Sequence, residues 1–142
     1  MFAKSLIVSL GIAAASLVGC ANAADNTSAS NAAVAPAHQV EKTSPFKGVK
    51  ANTGYATLSH VDGKRVLTVS DDFVIPNTPA PSWQVVDSSG NVYLLQQFKI
   101  KDNKTNRTIT LPAYIPDVAR VQVWCSFAEV LLGEASFEMP VK

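Results

Sequence analysis

From residue 45 onward, apolar and polar side chains alternate in short runs, and Gly, Pro, Asn and Asp interrupt each run before it reaches helical length. Residues 55–61 and 65–70 flank Asp62-Gly63, a hairpin signal, because Gly accepts the positive φ that two-residue turns demand. A short strand is predicted at 73–75. The loop at 76–82 holds Pro76, Pro79 and Pro81, cannot supply a continuous row of N–H donors, and must cross an edge or an end of the sheet. Residues 83–87 and 91–100 surround the turn Ser88-Ser89-Gly90; 101–106 read as a polar turn, 107–111 as a strand and 112–117 as an irregular crossing. Strands at 120–127 and 135–139 complete the set, and 127–132 could instead form a single helical turn. About eight short strands without a long helical pattern predict an all-β fold, a single antiparallel β-sandwich or a barrel-like variant of it.

The N-terminal part is patterned differently. Lys4 precedes an apolar stretch over 6–18, the length of a signal-peptide core and short for a membrane span. Leu17-Val18-Gly19-Cys20 matches a bacterial lipobox at all four positions, which would make Cys20 the lipidated mature N-terminus. Ala21-Asn22-Ala23 also fits ordinary signal cleavage. Residues 21–44 are rich in Ala, Asn, Ser and Thr, too poor in large apolar groups to offset their ordering entropy. The chain therefore divides into a signal peptide with lipobox (1–19), a lipidated cysteine and disordered tether (20–44) and a folded domain (45–142). As a loose coil the tether would reach roughly 25–30 Å. His38 within it reads as solvated. Ala21 after the lipidated cysteine points by analogy to an outer-membrane lipoprotein facing the periplasm, the alternative being a soluble periplasmic or secreted protein.

Charge adds an exclusion. The chain has 12 Lys and Arg against 11 Asp and Glu, and loss of Lys4 with the signal brings the two into balance. No basic stripe is present, which excludes nucleic acid as an expected partner. The membrane, through the lipid anchor, and an envelope redox protein are the partners to expect.

Cysteine usage carries the candidate chemistry. The chain has 2 cysteines, Cys20 and Cys125, and lipidation or cleavage removes the first from pairing. In the strand over 120–127, Val121, Val123, Cys125 and Phe127 share the core face, whereas Gln122, Trp124 and Ser126 share the other. A thiol on a core face is either inert packing or a chemical group. Alone, it cannot run an intramolecular dithiol cycle; it could form a sulfenic acid, a mixed disulfide or a thiolate ligand to haem or a metal. Each route needs a cation or backbone donors beside the sulfur. Lys64, Arg65, Arg107 and Arg120 are the basic residues near strand ends. No ligand spacing indicates haem or a metal, so the cofactor is left unassigned.

The order Phe46-x-Gly48, Gly54-x-Ala56, Val66-Leu67, Asp72-Phe73, a Pro-rich loop, Leu111-Pro112 and Val123-Trp124-Cys125, followed by Phe127, Val130 and Gly133-x-Ala135, resembles the DM-thirteen domain, also called the electron-transfer DM domain. The resemblance spans residues 46–137, and the segment from Trp124 to Ala135 is its most specific part. It implies an extracytoplasmic β-sandwich with Cys125 as the redox-active group. Trp124, Phe127, Gly133, Ala135, Asp72 and Phe73 are its motif neighbours. Relatives of this kind occur beside haem-binding DOMON domains and b-type cytochrome reductases, and in bacteria as small secreted or lipid-anchored proteins. This chain departs from the family where Ala80-Pro81-Ser82 replaces Gly-Pro-Asp, and where Ile109 or Thr110 replaces an aromatic residue.

Other candidates weigh less. His60 on a hairpin strand reads as structural rather than as a base for Cys125. Asp71 and Asp72 are adjacent, so in a strand their carboxylates would point to opposite faces, and Asp72 reads as a turn residue bonded to backbone. Trp83, Trp124 and Tyr93 could build a stacking surface, although packing is the simpler role. No acid, base and nucleophile assemble into a conventional enzyme. Two functions are therefore expected to compete: a redox accessory protein working through Cys125, or a binding or structural module in which Cys125 only packs.

Overall fold

The computed structural model describes residues 39–142, so the expectations for the signal, Cys20, Ala21 and His38 lie outside the described residues. The strands are β1 (Glu41–Lys42), β2 (Ala56–Val61), β3 (Lys64–Val69), β4 (Pro81–Val86), β5 (Val92–Gln97), β6 (Thr108–Thr110), β7 (Val118–Cys125) and β8 (Val130–Val141). They form two four-stranded antiparallel sheets, β1-β2-β3-β6 and β5-β4-β7-β8. The fold is an all-β, sandwich-like domain.

Turn chemistry explains the tight connections. Asp62 and Gly63 both adopt positive φ, 49° and 73°, which lets Val61 pair with Lys64 in the β2–β3 hairpin. The β4–β5 turn is closed by Asp87, whose main-chain N–H donates to Asn91 O and whose carbonyl accepts from Gly90 N. Between the sheets lie Phe46, Phe73, Phe98 and Trp83. The Trp83 ring stacks on Phe98 at 4.4 Å, and Phe73 bridges Phe98 and Phe46 at 5.5 and 4.9 Å. Leu58, Leu67, Val85, Val121 and Val123 fill the space around them. Each such side chain contributes about 1.5–3 kcal/mol through burial.

Both sides of the sandwich are stitched by main chain. On one side, residues 43–51 cross between the sheets: Thr43 N donates to Ala56 O, Ser44 N to Ser136 O, and Lys47 exchanges two 2.9 Å hydrogen bonds with Glu134. On the other, Phe98 N donates to Pro81 O, Asn106 N to Phe98 O and Val69 N to Arg107 O, which joins β5 to β6 through the 98–107 hairpin.

Three elements differ from the sequence reading. Residues 73–75 are not a strand. Arg107 Nη2 instead gathers the carbonyls of Ser70, Asp71 and Phe73 at 2.6, 3.3 and 3.1 Å, and Val74 N bonds Thr53 Oγ1, so the segment spends its polar groups on side chains. β1 lies at 41–42, within residues whose composition reads as tether; main-chain pairing to Thr57 and Leu58 holds it. β8 is 12 residues long and begins at Val130, because the turn at 126–129 ends with Glu129 at φ 52° rather than continuing as a helix.

The crossing of 43–51 over β8 depends on two glycines. A Cβ on Gly48 would stand 2.3 Å from Gly133 Cα, and one on Gly133 would stand 2.1 Å from Ala51 O. Gly133→Val is therefore expected to lower unfolding free energy by about 3 kcal/mol or more, the upper end of overpacking costs. Urea denaturation checks this, with Ser136→Ala on the same strand, an exposed position, as a control expected to stay near wild type.

Candidate functional site

Cys125 closes β7, opposite Pro81 of β4 and Val130 of β8. Its side chain points into the sandwich with Val121 and Val123, as the period-two pattern requires, and is 1% exposed. It forms no disulfide. The chain beyond it folds straight back: Ser126 N donates to Ala80 O and Glu129 N to Cys125 O, which draws residues 126–129 into a tight turn over the strand end.

That turn sets the electrostatics of the sulfur. The N–H of Ala128 is the strongest influence and favours the thiolate; burial opposes it; the N–H groups of Phe127 and Ala80 and the Thr78 hydroxyl add to the first. The donors prevail, and the thiol is held below its ordinary 9.0. No cation contributes. Arg65 instead donates to the carbonyls of Pro112 and Ile115, Arg107 to those of the 70–73 turn, and Arg120 pairs with Glu134 at 3.3 Å. Lys64 opens the exposed end of β3. Of the two ways to stabilise a thiolate, backbone donation is the one present here.

The Thr78 oxygen is an anomaly. It is buried, it acts on the sulfur, and yet it has no hydrogen-bond partner of ordinary geometry. Only Arg65 Nη1 shares that condition among the described residues. Buried hydroxyls are nearly always paired, and the neighbour this one has is the sulfur itself.

The motif neighbours occupy distinct places. Phe127 was expected on the core face with Cys125; it is 76% exposed, because the strand ends at Cys125 and the turn carries the ring outward. Trp124 is half-buried on the outer face, opposite Ser82 and Leu131. Gly133 is buried in β8 against Ala51 of the crossing segment, Ala135 is buried in the hydrophobic core, and Phe73 lies in the aromatic core. Asp72 is exposed in the 70–73 turn, where the main-chain bond is made by Phe73 N and Ser70 O. Asp71 is exposed beside it, so the two carboxylates do not converge on a site. His60 is exposed on β2, in a hairpin of the other sheet from β7. No stacking surface forms from the three aromatics. Trp83 is fully buried with its indole N–H on Asn106 O, and the Tyr93 hydroxyl donates to Asp87.

Two polar groupings escaped the sequence reading. On the outer face of the second sheet, Gln84 donates to Gln122, Gln122 to Glu134, and Arg120 to Glu134. At the β4–β5 turn, the buried Asp87 carboxylate accepts from Ser89 N, Asn91 N, Asn91 Nδ2 and the Tyr93 hydroxyl, while Asp117 accepts from Ser88 N and Oγ. The available signal was an Asp placed just before Ser-Ser-Gly-Asn, the position from which a carboxylate can close a turn on backbone N–H groups. Among the described residues, no three His, Cys, Asp or Glu side chains gather as a metal site would need. Comparison with known proteins adds no relative: no protein-family model, no curated protein and no solved structure matches the chain.

The Asp87 grouping makes a pH prediction. Asn91 above all, with Tyr93 and Ser89, holds the carboxyl below its ordinary 3.8, against burial. A depressed carboxyl stabilises the fold in full above the ordinary value and loses that contribution as pH falls through the folded one. The thermal midpoint of the protein should therefore drop on acidification below about pH 4. Asp87→Asn should start lower at neutral pH and show a flatter acid limb in the same calorimetric series.

Proposed function

We propose that this protein is an envelope-anchored redox accessory domain whose working group is the Cys125 thiolate, in keeping with the DM-thirteen resemblance and the lipobox at Cys20. The observation that carries the reading is the ring of main-chain donors from Ala128, Phe127 and Ala80 around a free sulfur. A thiolate needs such donors, whereas a thiol that only packs does not.

The placement of the site along the domain also supports this reading. Cys125 pairs with Val130 at one end of β8, while Val118 pairs with Val141 at the other, roughly 23 Å away at the strand rise of β7. Gln39 lies beside Val141 and Lys142, at the end remote from the sulfur. A lipid-anchored chain entering there would present the thiol away from the lipid surface. As a nucleophile, the Cys125 thiolate would attack one sulfur of a disulfide; a new S–S bond forms, the old one breaks, and the second sulfur departs as a thiolate.

A second reading is favoured by one observation. Cys125 is almost wholly buried and belongs to the hydrophobic core, as a purely structural residue would. The two readings separate in solution. In the full chain carrying Cys20→Ser, Cys125 is the sole thiol. Alkylation by iodoacetamide in native buffer should follow a titration centred below 9.0, and Cys125→Ser should abolish it. Labelling that appears only on denaturation would leave the packing role standing.

Linkage gives an independent check. Because the folded thiol ionises at lower pH than the unfolded one, the native state gives up its proton first, and stability should rise with pH between the folded value and 9.0. That rise should vanish in Cys125→Ser, as read by urea midpoints across the same pH range.

A further inference from the structure

Four strands form the edges of the two sheets, and three of them are protected. β1 is two residues long, and β6 is three residues long and followed by Leu111-Pro112. The outer side of β8 is bonded to residues 43–51. Short strands, proline and a covering segment all keep a sheet edge from pairing with another chain. β5 is the exception. Its one irregularity, a register shift opposite Trp83, falls after Leu94.

The alternation of the ladder decides which groups of β5 are unpaired. Asp87 N donates to Asn91 O, and Val85 is the partner of Tyr93, so the hydrogen-bonded rungs to β4 fall on Asn91 and Tyr93. Bonded and non-bonded pairs alternate along an antiparallel ladder. The N–H and C=O groups of Val92 and Leu94 therefore point away from β4, and no other described strand pairs with β5. The side chains of the same two residues lie on the outer face, opposite Val86 and Gln84, and are 57% and 53% exposed. From Ser88 to Phe98 the chain carries neither a charged residue nor a proline. Beside this strand a cleft of about 230 Å³ opens, with Leu95, Ile109, Pro112 and the exposed Tyr114 in its walls.

Unpaired main-chain groups fix the chemistry of the occupant, which must be an extended segment with its own unpaired groups. β5 of a second copy meets that need. About a two-fold axis through Tyr93, Val92 of one copy faces the partner's Leu94, and Leu94 faces the partner's Val92. Each such pair exchanges two main-chain hydrogen bonds. The four side chains join as one apolar strip on the outer face. No like charges meet across the axis, and such repulsion is what ordinarily bars a strand from pairing with itself.

We infer that β5 is a self-association edge, through which two copies of this chain join their second sheets into one continuous antiparallel sheet. The contact is isologous, the same patch serving both copies. Strand pairing of this length buries less than the about 1,200 Å² of a stable complex, so the pair forms reversibly. The inference does not draw on the reading of Cys125.

The test is sedimentation velocity on the full chain carrying Cys20→Ser, from about 5 to about 500 μM. Leu94→Lys and Val92→Lys alter the edge, and Val61→Lys, exposed on β2, is the control. The parent and Val61→Lys should pass from the monomer towards the dimer coefficient as concentration rises. Each edge variant should weaken association by about tenfold or more. In the parent, amide exchange at Val92 and Leu94 should slow with concentration, while that at Thr110 on the β6 edge stays constant. Thermal melts check that the variants fold, and Val92→Lys carries the result should Leu94→Lys melt early. A parent that stays monomeric to about 500 μM would overturn the inference. Association undiminished in both edge variants would place the contact elsewhere and overturn it equally. Protection of Val92 and Leu94 by an added alternating Thr-Val peptide, in chains that remain single, would give the edge to another protein's strand instead of a second copy.

Discussion

Two backbones can lie against each other without a gap only where neither carries a side chain at the point of contact. Gly48 and Gly133 meet that condition, and the crossing of residues 43–51 over β8 follows from it. The crossing exchanges hydrogen bonds with Glu134 and Ser136 while Thr43 bonds Ala56 of the first sheet, so one segment holds both sheets. β8 in turn carries β7 through the longest ladder of the domain, and β7 ends at Cys125. Placement of the sulfur is therefore set from a contact several residues away, where a single methyl group would force the main chains apart.

The balance at Cys125 is between opposing terms of similar kind. Burial penalises the charged sulfur; N–H groups favour it. A surface cation could have tipped the same balance, but it would be screened by salt and would tie the thiol to a second titrating or mobile group. Main-chain donors do neither. Their orientation is fixed by the Glu129–Cys125 and Ser126–Ala80 hydrogen bonds, and they cannot be lost by protonation. The same turn that shields the sulfur also stabilises its ionised form, so shielding and activation are properties of one four-residue feature. Burial alone would have suppressed the thiol's ionisation; with this roof, the N–H groups outweigh it.

How much of this was legible along the chain depends on whether the determining interaction is local. The Asp62-Gly63 hairpin was legible because both residues adopt the positive φ that the dipeptide favours. The inward face of Val121, Val123 and Cys125 was legible because strand periodicity is a property of consecutive residues. Residues 73–75 were misread because Arg107, distant in sequence, captures the carbonyls that a strand would have paired. Phe127 was placed inside because its spacing continues the strand, and nothing local announces that the chain turns at Cys125. Packing is the simpler role for Trp83 on sequence and the one it has, but the partners are not local: its N–H finds Asn106 across the hairpin and its ring finds Phe98. The donors around the sulfur were illegible in principle, since main-chain N–H groups leave no mark on residue type.

The outer face of the second sheet shows why polar residues there need not signal chemistry. Gln84, Gln122 and Glu134 lie side by side on three neighbouring strands and satisfy one another, ending at Arg120. Gln84 and Gln122 are nearly covered by their neighbours, and amides that are covered must be bonded. A ladder of this kind fixes strand register, because a shift by one residue would bring the amides opposite aliphatic groups and leave them unpaired. The register so fixed sets Cys125 opposite Pro81, beside Ala80, whose N–H and carbonyl serve the sulfur and the turn respectively. The polar ladder and the glycine crossing thus act on the same strand from its two faces, one setting where β7 lies along its neighbours and the other how closely β8 is held against the core.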